Sequence, residues 1–318
     1  MSILTYHKPG SFRRRASLTS TLSTDNVKAA ASRIETIVFE DLPECFQDNP
    51  YIRSGYRKIE NSTASCLHSC TTLHNETVNI YTHLIPAVFL AVFSIFIQTK
   101  ITQHFPEATT LDRVVIGANV LAALVTFALS ASFHTLMSHS PDAHSFFLRL
   151  DYAGILTLIL GSFFSGIYVG FYCLPTPRTI YWTMIVTLSL GTATLVLHPR
   201  LQSHKYRSVR TYAFVATSLT GFAPIGHGLC LYGWEEMWVR SGMPYYLLEG
   251  LIYAAGAFFF ISRVPESIWP GSFDIWWSSH QIFHLLVVVA AATHMWGVWQ
   301  AFAWNYEHTR TCAASYCC

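Results

Sequence analysis

Two histidines stand at the start of the apolar stretch "SSHQIFHLLVVVAAATHMWGV": His280 and His284. Residues at i and i+4 share one helix face, so both imidazoles can reach a single ion. A third histidine, His134, closes another apolar stretch in "SASFHT", with Ser130 one turn before it. Asp151 stands near the start of a third apolar stretch, "LRLDYAGI". Three histidines are a known ligand set for catalytic zinc, which keeps its fourth position for water. Asp151 would then orient a ligand or hold that water, and Ser130 would hydrogen-bond near the metal or the substrate. HxxxH by itself is unspecific, because histidines near helix ends also bond to backbone or lipid headgroups. Its weight depends on where the helices carry these groups.

The helices are membrane spans. Of 318 residues, 52% are hydrophobic and only 12% charged, against about 25% charged in soluble proteins. A span needs about 20 apolar residues. Seven stretches qualify: 79–98, 114–135, 148–171, 179–197, 211–231, 244–262 and 278–303. Short connections rich in Pro, Gly and Ser separate them, so the fold expected is an all-α, seven-helix integral membrane bundle. With a cytosolic N-terminus, fifteen of the twenty Lys and Arg fall on the cytosolic side, and only Lys100, Arg113, Arg178, Arg240 and Arg310 fall opposite. Positive-inside asymmetry therefore predicts N-in, C-out, the reverse of a G-protein-coupled receptor. On that topology the second span ends in the cytosolic half, and the third and seventh begin there. His134, Ser130, Asp151, His280 and His284 then share one depth, and ionisable groups inside spans default to function.

The remaining polar residues suggest less. His83, His227 and His294 stand alone in spans and read as structural. His139, His144, His198 and His204 read as solvated loop residues. Glu76, Asn79 and His83 share a face, read as a polar seam tying the first span to the N-terminal segment. Glu249 reads as interfacial. The net charge of +2 gives no sign of nucleic-acid binding. Eight cysteines show no CxxC pair; Cys173 and Cys230 fall near the outer face and could pair. No cleavable signal peptide is visible. The domains expected are a disordered cytosolic tail (1–35), a cytosolic segment with a short helix (36–78), the seven-span domain (79–305) and a short outside tail (306–318).

The motifs "NPYIRSGYR", "HNETVNIYTHL", "SASFHT", "LDYAGI" and "ISRVPESIWPGSFDIWWSSHQIFHLLVVVAAATHMWGV" resemble the progestin and adipoQ receptor family. They lie closest to its adiponectin-receptor branch, with the fungal osmotin-receptor and zinc-homeostasis proteins. The resemblance covers roughly residues 38–305. It implies seven helices with the N-terminus inside, and Zn2+ held by His134, His280 and His284. It also implies Asp151 and Ser130 as catalytic groups, and hydrolysis of the amide of a ceramide-like lipid. Asp151 would act as general base for water and then pass the proton to the leaving amine. The partners implied are that substrate, membrane lipids and an extracellular protein or sterol ligand, at the plasma membrane or an endomembrane. Two alternatives stay open: a receptor whose zinc is purely structural, and a transporter or pore.

Overall fold

The computed structural model describes residues 35–309 apart from Gln202; the expected tails, 1–35 and 306–318, fall largely outside that range. Two short strands, β1 (Thr36–Ile37) and β2 (Tyr56–Arg57), pair antiparallel, with Thr36 opposite Arg57. A short helix α1 (Thr63–Ser69) leads into the membrane helices. These are α2 (Thr77–His104), α3 (Thr110–Leu136), α4 (Pro141–Gly170), α5 (Pro175–Val196), α6 (Arg207–Leu219), α7 (Phe222–Arg240), α8 (Met243–Ser262) and α9 (Ser279–His308). With α6 and α7 taken as one span, seven segments are long and apolar enough to cross a membrane. The chain is an integral multi-pass membrane protein.

Most helices run past the apolar windows that predict them, because polar caps lie beyond those windows. Thr109 and Asp112 form a reciprocal capping box at the start of α3. Ser140 caps α4 ahead of Pro141. The fifth span is the exception. It is expected as one helix over 211–231, but it breaks after Leu219 and again at Gly233, whose φ of 72° and ψ of 177° is a conformation open only to glycine.

Burial sorts the helices. Within the most apolar 18-residue stretch of each, 56% of residues are buried in α3, 50% in α4 and 39% in α9, but only 17% in α5 and 11% in α8. Helices α3, α4 and α9 are therefore the centre of the bundle, while α5 and α8 turn most of their surface outward. The core joins Leu90 and Ile97 of α2, Ala123 and Phe127 of α3, Leu158 of α4, and Val287, Ala291 and Phe302 of α9. Outward-facing Val92, Ile95 and Leu251 are each more than two-thirds exposed, as suits a surface solvated by lipid. At the junction of α7 and α8, Gly242 presses on α9. A Cβ there would lie 2.7 Å from the Gly297 carbonyl oxygen, and its φ is 73°, so glycine is required twice over.

Cys173 is disulfide-bonded, but Cys230 is a free thiol. The pairing considered for these two does not form. Cys230 lies three residues before the break at Gly233, with its thiol exposed.

Candidate metal centre

Two extramembrane segments fix the helix ends that carry the histidines. At the end of α3, the Arg57 guanidinium donates to the carbonyls of His134 (2.6 Å) and Thr135 (2.9 Å) and to Ser69 Oγ (2.9 Å). A cation on the last carbonyls also suits the helix dipole. At the start of α9, the fully buried Glu266 accepts from the backbone N–H of Ser279 (2.7 Å), from Ser279 Oγ and from Asn49 Nδ2 (3.1 Å). Gln281 adds donations to the Ile275 and Asn75 carbonyls. Asp274 accepts from Arg53 N and Ser54 Oγ, so the 263–278 loop is stitched to the N-terminal segment. Both helix ends are thus set in rotational phase.

That phase brings His134, His280 and His284 together. Their ligand atoms lie within 4.8 Å of one another, and His134 and His284 are 2% exposed. Nε2 of His134 and Nε2 of His280 are 3.4 Å apart. Two nitrogens at ~2.05 Å from one tetrahedral zinc would be about 3.3 Å apart. The donor set also has the right proton inventory. Nδ1 of His134 donates to Glu76 Oε2 at 2.7 Å, because a carboxylate only accepts. Nδ1 of His284 lies 3.4 Å from Thr82 Oγ, whose own hydrogen goes to the Val78 carbonyl. With Nδ1 protonated, Nε2 keeps its lone pair, the form a metal ligand needs. The three imidazoles therefore fit a zinc-type ion on geometry, and His134 and His284 fit it on protonation as well.

Ser130 is buried, and its hydroxyl faces the Asp151 carboxylate, which also feels His134. Asp151 is not one of the converging ligands; it stands beside them, across Ser130. All five residues singled out from the sequence therefore gather at one end of the bundle.

Glu76, expected only in a polar seam, belongs to this centre through His134. The seam on α2 is real, since Asn79 Nδ2 donates to Glu76 Oε2 at 2.7 Å. It reaches the metal cluster as well as the N-terminal segment, where the Glu76 charge acts on Tyr56 and Arg57. Burial works to raise the Glu76 carboxyl, but the hydrogen bonds from His134 and Asn79 outweigh it and hold the group well below the usual carboxylate range. His83, one turn on, stacks on His284 with ring centroids 3.9 Å apart. The 3–4 spacing of Glu76, Asn79 and His83 was the available signal; what it lacked was the identity of the facing helix. His144, expected in a loop, lies in the first turn of α4 with edge contacts to Phe46 and Phe133. Farther along the bundle, His294 is not alone: its Nδ1 is 2.7 Å from Glu249 Oε2.

The haemolysin-III-related family matches residues 71–295. The chain is 36% identical over 261 residues to the adiponectin receptor protein of Drosophila melanogaster, covering 82% of this chain and 58% of that one. It is 35% identical over 271 residues to progestin and adipoQ receptor-like protein 1 of Caenorhabditis elegans, covering 85% and 62%. To the ADIPOR-like receptor IZH2 of Saccharomyces cerevisiae it is 35% identical over 291 residues, covering 91% of both. The chain thus spans about three-fifths of the length of the fly and nematode relatives.

Proposed function

The chain belongs to the haemolysin-III-related family, which includes the progestin and adipoQ receptors, and from that premise we propose an adiponectin-receptor-like membrane receptor that hydrolyses the amide bond of ceramide-like lipids at an intramembrane zinc site. Such an activity would act on lipid and zinc homeostasis signalling. The observation that carries the reading is the convergence of three imidazoles, two buried and one half-buried, beside a carboxylate that is not itself a ligand. Structural zinc sites usually close with four protein ligands, whereas catalytic ones hold three and leave a position open.

His134, His280 and His284 would hold the ion. When bound, zinc polarises a carbonyl and makes a water nucleophilic near neutral pH. The chain's own groups do the rest. The Asp151 carboxylate takes a proton from the water that adds to the amide carbon. It then gives the proton to the nitrogen as the C–N bond breaks, releasing a fatty acid and a sphingoid amine. The Ser130 hydroxyl keeps Asp151 oriented and can donate to the carbonyl oxygen as charge develops there. Glu76 holds the proton on His134 Nδ1 throughout.

The reading places the N-terminus and the metal centre on the cytosolic side. Lys and Arg concentrate on that side. Cysteine chemistry agrees: Cys66 and Cys70, near the metal end, are free, whereas Cys173, past the opposite end of α4, is oxidised, and disulfides persist in oxidising compartments.

The test is metal content and ceramide turnover of the purified protein. One zinc per chain is expected in the wild type and in Asp151→Asn, with turnover lost only in the variant. Retained turnover in Asp151→Asn would sink the catalytic assignment. Zinc without turnover in the wild type would favour the second reading, a receptor in which the ion staples α3 to α9. The receptor names of the fly, nematode and yeast relatives support that second reading as well.

A further inference from the structure

The far half of the bundle holds a second polar centre, formed by Ser165 of α4, Glu249 of α8 and His294 of α9. Nδ1 of His294 is 2.7 Å from Glu249 Oε2, and its Nε2 is 3.0 Å from Ser165 Oγ. Ser165 is fully buried, His294 is 4% exposed, and the Glu249 side chain is 12% exposed. The Tyr246 ring stacks on the imidazole with centroids 5.1 Å apart. His294 is ten residues beyond His284, so the two centres are about 15 Å apart along α9.

Serine, histidine and a carboxylate in this order resemble a nucleophilic triad, but the setting rules that role out. Ser165 lies within α4, with Oγ 2.8 Å from the Gly161 carbonyl and no exposed surface. An acyl donor has no path to it. Proton chemistry fits instead. With both imidazole nitrogens protonated, Nδ1 donates to Glu249, Nε2 donates to Ser165 Oγ, and the hydroxyl donates to Gly161. With one proton fewer, the hydroxyl turns and donates to Nε2. Each state is fully hydrogen-bonded, and no heavy atom has to move. The first state is neutral overall; the second leaves the Glu249 charge uncompensated inside the membrane, which is costly.

We propose that Ser165, His294 and Glu249 form a binding site for a single exchangeable proton, which ties α8 to α4 and α9 when occupied. The site stands apart from the proposed hydrolysis. Neighbouring titratable groups are otherwise engaged or uncharged. Tyr246 and Tyr253 of α8 face Glu249. Asp112 of α3 is taken by Tyr168, Tyr172 and Thr109. On α7, His227 bonds Tyr181 and Glu236 pairs with Arg240; Cys230, Tyr232 and Glu235 complete that helix's titratable groups.

The test is 15N magnetic resonance of the histidine-labelled chain in lipid nanodiscs, titrated from about pH 5 to about pH 9, with His294 assigned by the signal missing in His294→Gln. The expected result is a single transition at His294 that is lost in Glu249→Gln and shifted in midpoint in Ser165→Ala. A His294 spectrum invariant over the range overturns the proposal, and so does a transition unchanged in Glu249→Gln. An unchanged midpoint in Ser165→Ala overturns the serine's part. Metal content should equal wild type in the Gln and Ala variants; its loss would overturn the independence of the two centres. The wild-type titration keeps the proposal testable even if a variant fails to fold.

Discussion

Helices α4 and α9 each contribute to two polar centres, and the two differ in their hydrogen-bond accounting. At the metal end, His134 and His280 point nitrogens of the same type at each other, 3.4 Å apart, and the protons sit on the far side of the His134 ring, committed to Glu76. The His134 Nε2 lone pair is left facing His280 and His284, at the point where their ligand atoms converge. At the far end, Glu249, His294, Ser165 and the Gly161 carbonyl alternate donor and acceptor, and the chain closes on itself. One arrangement asks for a cation; the other asks for no more than a proton. A histidine cluster and a single buried histidine in one bundle are therefore told apart by counting hydrogens, which residue type alone does not do.

The sharpest way to break this contrast is at the metal end. Asp151→Asn is expected to lower ceramide turnover by about 10²–10⁴-fold with zinc retained, measured by product release and elemental analysis. Glu76→Gln removes the carboxylate that holds His134 in register. Zinc affinity is expected to fall about 10–100-fold, read by competition with a chelator; an unchanged affinity would mean that Glu76 does not act through His134. Acid should separate the two ends. Burial and the Arg57 guanidinium push His74 down to about 4. The unfolded chain therefore binds the proton first, and stability is full above about pH 6.5 and lost as pH falls from there toward 4. A thermal-denaturation series should show that loss in the wild type and a smaller one in His74→Gln, while the far centre is neutral when protonated. The smallest effect expected is on zinc content in Glu249→Gln, which should match the wild type within error.

Much of the metal centre was legible because its signals are local. The i, i+4 spacing of His280 and His284 fixes their shared face, and alternating topology puts His134 and Asp151 at the same depth. What stayed hidden depends on which helices are neighbours and how each is rotated. Glu76 shows its own face of α2 but not that α3 lies opposite. Glu249 and His294 are 45 positions apart, and no spacing announces their bond. The span ends are hidden for a related reason: caps such as Thr109 and Ser140 are polar, so hydropathy stops short of them. The break at Gly233 needs a backbone conformation that composition does not reveal.

The clamp of Arg57 on the carbonyls of His134 and Thr135 has a practical consequence for anyone cutting this protein down to size. A boundary drawn at the first membrane helix would look natural, since it keeps every apolar span. It would also delete the guanidinium that terminates α3 and the Asn49, Arg53 and Ser54 contacts that steady the loop before α9. The smallest fragment worth expressing therefore begins ahead of β1, outside the bilayer.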